Sequence, residues 1–501
     1  MTLYNRQLSQ RFVAGVVFIL IFAMAARTPL DSDVWWHMRA GETIWQSGHV
    51  LSVDTFSYTR AGMPWLSHSW LTEVSWYLLF RLGGYLALSA GVALLAALSM
   101  GLTFAQMDAP PLLRAFVLVL AATVAAVVWS PRPQAFSLVF FAATACLLYL
   151  YKWRQIDRLW LILPLFILWS NYHGGYVLGL LAIGAMIFGE ILNHLLGFSG
   201  KEILDWQGIL RLTLWGILAA VVVVVNPHGV AMWTAPFRTV EVGVLRQFIS
   251  EWASPDFHQL VQQPFLWLLF GVLAAIGFSG KRLDGSDLLG VVGFAYLALL
   301  ARRNYGPFAL VAAPVLARHL WAGWQGWQRR RNSPTPLEGR GRGLARLGGL
   351  ASPRLNRLFN FALLALLTLA ALLKVYGVTS PALVSEYSSR LFPVKAVRWI
   401  EVNQPPGQLF NDYNWGGYLL WHLRDYPVFV DGRTDLYADE ILHLYLRVLG
   451  GEDGWEETLN QYRVNLVLIE PSSALARELK RSMDWIEAYR DDVAIIFQRN
   501  P

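Results

Sequence analysis

Asp31 and Asp33 flank a serine in the segment Asp31-Ser-Asp-Val-Trp-Trp-His37, which directly follows the first apolar run of the chain. Carboxylates beside an apolar phase are costly to keep, and such groups are retained for chemistry or for binding ions. The other chemistry-bearing residues fall into short motifs far apart in sequence. They are Asp54–Thr59, Trp65–Glu73, Ser130-Pro-Arg-Pro-Gln134, Asn171-Tyr-His-Gly-Gly175, Asn226-Pro-His-Gly229, Glu251–Asp256 and Arg302-Arg-Asn-Tyr305. Arg132, Arg302 and Arg303 carry the planar fork that holds phosphate through paired hydrogen bonds. The same Arg302 and Arg303 could instead snorkel toward lipid headgroups. His37, His68, His173 and His228 could shuttle protons or bind zinc. No HxxxH or CxxC spacing supports zinc, so capping and hydrogen bonding is the simpler role. Glu73 reads as support behind the acids, and Trp35, Trp36, Trp65 and Trp70 as an interfacial aromatic belt.

These motifs need elements that bring them to one place, and composition says which. The chain has 501 residues, 55% hydrophobic and 15% charged, with 23 tryptophans. That is a polytopic membrane protein rich in interfacial aromatics. Apolar runs at 12–26, 84–104, 112–129, 136–151, 159–170, 175–194, 209–225, 264–279, 287–300, 307–325 and 358–376 give about eleven spans. The first follows Arg6 and Arg11, so the positive-inside bias sets the N-terminus in the cytoplasm. Ala23-Met-Ala25 also resembles a signal-peptide cleavage site, but the adjoining acids need a fixed position, so an uncleaved first helix is expected.

Alternation then gives cytoplasmic loops containing Arg114, Lys152, Lys201, Lys281 and an arginine-rich stretch at 326–357. Every motif named above falls on the opposite, external face. Polar loops gathered on one face point to a site assembled where the helices end. The net charge of +7 reflects the arginines between Arg329 and Arg357, which suit a retained cytoplasmic loop and exclude nucleic acid as a partner. Cys146 is the single cysteine, so no intrachain disulfide can form.

The first external loop, 28–83, should carry two surface helices, Gly41–Gly48 and Leu66–Arg81. Residues 1–377 thus form the membrane domain. Residues 378–501 have the composition of an external α/β domain, with strands at Leu409–Tyr413, Val428–Asp431 and Leu466–Glu470 and a closing hairpin from Trp485 to Arg499. Asp431-Gly-Arg433 and Asp435 follow a strand end, where open α/β sheets bind ligands. Without a GxGxxG motif, structural support is the plainer role for them.

The acid-bearing first loop with surface helices, the many spans, the motifs Asn171–Gly175 and Arg302–Asn304, and a terminal domain with Asn411–Tyr418 and Val430–Arg433 together resemble the GT-C superfamily of membrane glycosyltransferases. The resemblance extends over nearly the whole chain and is nearest to a bacterial branch. It implies transfer of a sugar from a polyprenyl-phosphate donor to a lipid, glycan or protein acceptor at the external face of the cytoplasmic membrane. It further implies that an acid of the first loop activates the acceptor or binds a divalent ion. Asp33 or Asp31 matches that position, and Asp33 adjoins the tryptophan pair that would fix its depth. An Asp-x-Asp pair suits Mg2+ or Mn2+, hard ions that take oxygen ligands. Arg132, Arg302 and Arg303, with His173, His37, His68, Glu73 and His228, are the candidates for binding substrate. The adjacent Asp-Glu of protein mannosyltransferases is absent, and Asn411–Tyr418 only loosely echoes the Trp-Trp-Asp-Tyr-Gly motif of oligosaccharyltransferases. A transporter or flippase of lipid-linked glycans is the main alternative, with a non-catalytic scaffold subunit a third reading. A transporter calls for repeated halves and helices broken at mid-membrane, and neither is evident in the sequence.

Overall fold

The computed structural model describes residues 3–244, 249, 251–331 and 353–500. Each expected span falls on a helix. Trp70–Ala105, Pro111–Val128, Pro133–Trp153, Tyr176–Leu195, Leu260–Ser279 and Arg357–Val378 are long and apolar enough to cross a membrane. Shorter apolar helices, Gln10–Ala25, Leu159–Tyr172, Trp206–Val222 and Gly285–Leu300, stand among them. Their outward faces carry large apolar side chains left open to the surroundings, such as Phe116 at 68% exposure and Phe278 at 88%. Surface of that kind is stable against lipid and not against water. The protein is an integral membrane protein. Tyr305–Arg331 differs from the rest: nearly every residue from Tyr305 to His319 is buried, so this helix is the bundle's inner post. Most of the arginine-rich stretch lies outside the described residues.

The first loop departs from expectation in two places. The helix expected at Gly41–Gly48 begins earlier and runs Val34–Ser47, with Asp33 as its N-cap and Gly48 closing it in the left-handed conformation. Trp35, Trp36 and His37 therefore ride on a rigid helix instead of a loop. The second surface helix begins at Trp70 and leads directly into the span. Gly83 and Gly84 break helical geometry between the two parts, with Gly84 at φ 56°. That conformation costs glycine little and other residues more.

Residues Gln408–Arg499 build a four-stranded sheet in the order β1-β2-β4-β3. The strands are Gln408–Asn411 (β1), Val464–Ile469 (β2), Trp485–Arg490 (β3) and Ile495–Arg499 (β4). β1 and β2 are parallel, while β4 runs antiparallel to both β2 and β3. Val428–Asp431, expected as a strand, does not join this sheet. It is extended and makes a single parallel bridge, Ser57 to Val428, with the first loop.

That bridge belongs to a larger interface. Tyr58 N–H donates to Val428 O at 3.2 Å, and Val428 N–H donates to Phe56 O at 3.3 Å. Thr59 Oγ1 donates to Phe429 O at 2.7 Å, and Tyr58 OH to Leu409 O at 3.1 Å. Trp35, Trp36 and Trp65, expected in an aromatic belt, are instead sealed inside the protein at 0%, 8% and 4% exposure. Trp35 meets Phe392 and Tyr418 edge-on, at centroid distances of 5.8 and 5.4 Å. An interfacial belt needs one wet and one lipid-facing edge. These rings have neither, because the C-terminal part sits on them.

Candidate active site

Helix ends, the first loop and the C-terminal part enclose a cavity of about 790 Å3. Its floor is apolar, built from Val128, Leu138, Phe141, Val177, Leu178 and Pro307, all on or beside the bundle helices. Its polar wall is organised around Arg132, which N-caps the helix Pro133–Trp153 between Pro131 and Pro133. Arg132 Nε donates to Asp31 Oδ1 at 2.7 Å. Arg132 Nη1 lies 3.1 Å from Asp33 Oδ2 and 3.0 Å from Glu251 Oε2. Three carboxylates thus share one guanidinium. Asp31 also accepts the Asp33 backbone N–H at 2.9 Å, which fixes the loop at the head of the Val34–Ser47 helix.

Asp33 keeps 21% of its side-chain surface, and it opens onto the cavity. Burial pushes its carboxyl up to about 7, with Asp31 and Glu251 acting in the same direction against Arg132. Gly432 of the C-terminal part lies against it: a Cβ at residue 432 would collide with Asp33 Oδ1. The roof over this acid has room only for a glycine.

Arg303 also lines the cavity. It sits in the 3-10 turn Arg302–Asn304, its backbone N–H donates to Glu251 O at 3.2 Å, and its guanidinium stacks on Trp252 at 4.1 Å. Among the described residues no carboxylate pairs with it, so its hydrogen-bond donors remain available to an anion. Arg132 differs, since its Nε and Nη1 are already paired with carboxylates.

His37, His68 and His173 line the same space. Burial, followed by the Arg132 charge, holds His37 well below its ordinary value, so its ring is neutral. On the roof, Asp412 caps the helix Tyr413–His422 by accepting Asn414 N–H at 2.8 Å, and burial raises it to about 6. Asp435 is raised too, again chiefly by burial.

Four sequence candidates are not among the lining residues, and the first is Asp31, which bears on the cavity only through Arg132. Glu73 is buried behind the wall, accepting Ser67 Oγ at 2.6 Å and lying 3.8 Å from His37 Nδ1. His228 pairs through Nε2 with Ser67 O at 3.1 Å, which ties its loop to the first loop. Arg302 is not among the lining residues. Glu251, Trp252 and Gly432 are cavity residues that sequence reasoning named only as members of a motif, and Asp435, expected to give structural support, also lines the cavity. Glu251 and Trp252 head the motif Glu251–Asp256, and that was their only signal.

Asp54 and Arg433, singled out as motif residues, have a different role. Arg433 donates through Nε to Asp431 Oδ1 at 2.9 Å and through Nη2 to Asp431 Oδ2 at 2.6 Å, and it also meets Asp54. Tyr437 OH donates to Asp431 Oδ2 at 2.7 Å. All three charged side chains are fully buried. This network locks the C-terminal part onto the first loop, and removing one partner from such a pair costs about 3–5 kcal/mol.

The carboxylates do not present an oxygen cage for Mg2+ or Mn2+. The guanidinium of Arg132 occupies the point toward which Asp31, Asp33 and Glu251 converge, and hard divalent ions need several free oxygen ligands around that point. No group of three or more His, Cys, Asp or Glu is arranged to hold a metal among the described residues.

No family model matches the sequence, and no curated protein matches it. Solved structures similar across most of the chain include the following two. ArnT from Cupriavidus metallidurans in the apo state aligns with 97% of this chain and 96% of its own, at 15% identity and a TM-score of 0.50. The Archaeoglobus fulgidus oligosaccharyltransferase in its apo form aligns with 91% of this chain and 69% of its own, at 13% identity and a TM-score of 0.53. At such identities the likeness is one of fold. The chain shares its overall fold with these two structures, in line with the polytopic fold that the sequence resemblance implied.

Proposed function

We propose that this protein is a glycosyltransferase that moves a sugar from a polyprenyl-phosphate donor to an acceptor hydroxyl at the external face of the membrane. The observation that carries this reading is one cavity holding both an acid tuned near neutrality and an uncommitted guanidinium, above an apolar floor. In the proposed reaction Asp33, ionised, takes the proton of the acceptor hydroxyl as its oxygen bonds to the anomeric carbon. The bond from that carbon to the phosphate oxygen breaks, and the electron pair leaves with the polyprenyl phosphate. A base works best when its pKa lies near the working pH, and Asp33 satisfies this. Arg303 is placed to hold the donor phosphate. Arg132 holds Asp33 and supplies positive charge at the place where a divalent ion would otherwise be needed. The apolar floor suits the prenyl chain.

The fold supports this reading, since an oligosaccharyltransferase shares it. The proposed orientation places the N-terminus in the cytoplasm and 378–501 outside. The test is sugar transfer by the purified protein in liposomes carrying polyprenyl-phosphate sugars, with and without a chelator. Transfer that survives chelation is expected, and no transfer from any such donor would refute the proposal. Protease added outside sealed cells should cut within 380–500; protection of that region would overturn the orientation.

A further inference from the structure

We propose that His173 presents a fixed Nε2–H to the phosphate of the donor, beside Arg303. The other ring nitrogen, Nδ1, fixes the tautomer. Gly175 backbone N–H, which can only donate, points at His173 Nδ1 from 3.2 Å. Ser137 Oγ lies 2.7 Å from the same nitrogen. Trp169 Nε1–H donates to Ser137 Oγ at 2.8 Å, so the serine proton is free to point onward to Nδ1. Nδ1 therefore receives donors and must offer a lone pair, and a neutral imidazole then carries its proton on Nε2.

The ring stays neutral. Burial is the main cause, and His68, Arg303 and His37 all oppose a second proton. Nε2 has no partner among the described residues, and His173 lines the cavity. The motif Asn171-Tyr-His-Gly-Gly175 is built for this arrangement. A Cβ on Gly175 would fall 2.6 Å from Ser137 Oγ and 2.8 Å from His173 Nδ1, so only glycine lets the relay close.

A neutral donor sharing one cavity with an uncommitted guanidinium, whose charge bears on the ring, matches the oxygens of a phosphate monoester or diester. When the phosphate departs it gains charge, and a donor already aimed there stabilises it without reorganising. His173 keeps its proton throughout. The inference rests on reading the cavity as a lipid-phosphate-sugar site.

The test uses the full-length protein in nanodiscs and has two readouts. The first is 15N NMR of histidine-labelled protein, with the His173 signals assigned by their loss in His173→Asn. The Nε2–H tautomer is expected across neutral pH, and an Nδ1–H tautomer overturns the inference. The second is affinity for a short-chain polyprenyl phosphate. Gln can place an N–H close to where Nε2–H stood, whereas Asn cannot reach it. His173→Gln should bind within about threefold of wild type, and His173→Asn about tenfold or more weakly, as for loss of one hydrogen bond to a charged group. Equal binding by wild type and His173→Asn refutes the role of His173 alone. No binding by the wild type refutes the lipid-phosphate reading, and the inference falls with it.

Discussion

The helix Pro133–Trp153 carries a cation at each end, and the two ends are built for opposite purposes. Lys152, in the last turn, is fully buried against Glu190 and lies 2.8 Å from both carboxylate oxygens of Asp284. Around them every remaining donor and acceptor is used. Asn193 Nδ2 donates to Glu190 and Asp284, Ser286 Oγ donates to Glu190 at 2.8 Å, and Leu204 N–H donates to Glu190 at 2.7 Å. Arg132, at the other end, also faces more carboxylates than it can neutralise, and neutral donors there are few: Asp31 accepts the Asp33 backbone N–H, and the Trp36 indole bears on Asp33. Asp33 has an oxygen left over, and it faces a cavity. The same ingredients, one cation among several acids, give a sealed clamp where polar capacity is saturated. Where capacity is left open they give a reactive group.

The largest effect should separate the two ends most plainly. Asp33→Asn keeps the shape and removes the base, so sugar transfer should fall by about 10²–10⁴-fold with the thermal midpoint unchanged. In the wild type the base form is lost as pH drops through about 7, because Asp33 is raised to that value. kcat/KM should therefore rise with pH up to about 7 and level off above it. A flat profile between pH 5 and 8 would remove Asp33 from the rate. Lys152→Met is the converse. It strands Glu190 and Asp284 in a buried site, at a cost of about 3–5 kcal/mol read as a lowered unfolding midpoint. Transfer per folded molecule should be unchanged, and a loss there would mean that the clamp reaches the chemistry.

Gly432→Ala probes the roof between these extremes. The added methyl must push Asp33 aside, and a displacement of about 1 Å at a reacting group is worth roughly 10²-fold in rate. Folding should survive, because the Asp54–Arg433–Asp431 network still docks the two parts. Transfer equal to wild type would show that Asp33 does not work from the position seen here.

Hydrophobic runs made the helices legible in the sequence, because a span must satisfy its own backbone and show apolar surface to lipid. The acids of the first loop were legible for the same reason, as exceptions at an apolar boundary. What charge alternation resolves is a membrane face, not an angle around a helix. It put Glu73, His228 and Arg302 on the same face as Asp33, Arg132 and Arg303. Only the turn at 302–304 decides that Arg303 enters the cavity. Glu251 stayed hidden because its partner Arg132 is 119 positions away. The tryptophans misled for a related reason: an interfacial belt and a covered seam have the same composition. Val428–Asp431 reads as a strand because it is apolar and buried, yet what buries it is the first loop and not a neighbouring strand.

The smallest effect tests the uncommitted cation. Arg303 is held by Trp252, whose ring lies 4.1 Å from the guanidinium carbon. A partly desolvated cation–π contact is worth about 0.5–2 kcal/mol. Trp252→Leu keeps bulk and removes the negative ring face, so Arg303 loses its support but not its charge. The KM for donor should rise by about two- to thirtyfold with kcat nearly unchanged. If kcat fell in step with kcat/KM instead, Arg303 would act only in the transition state. The division between a base at Asp33 and a donor-holding arginine would then have to be redrawn.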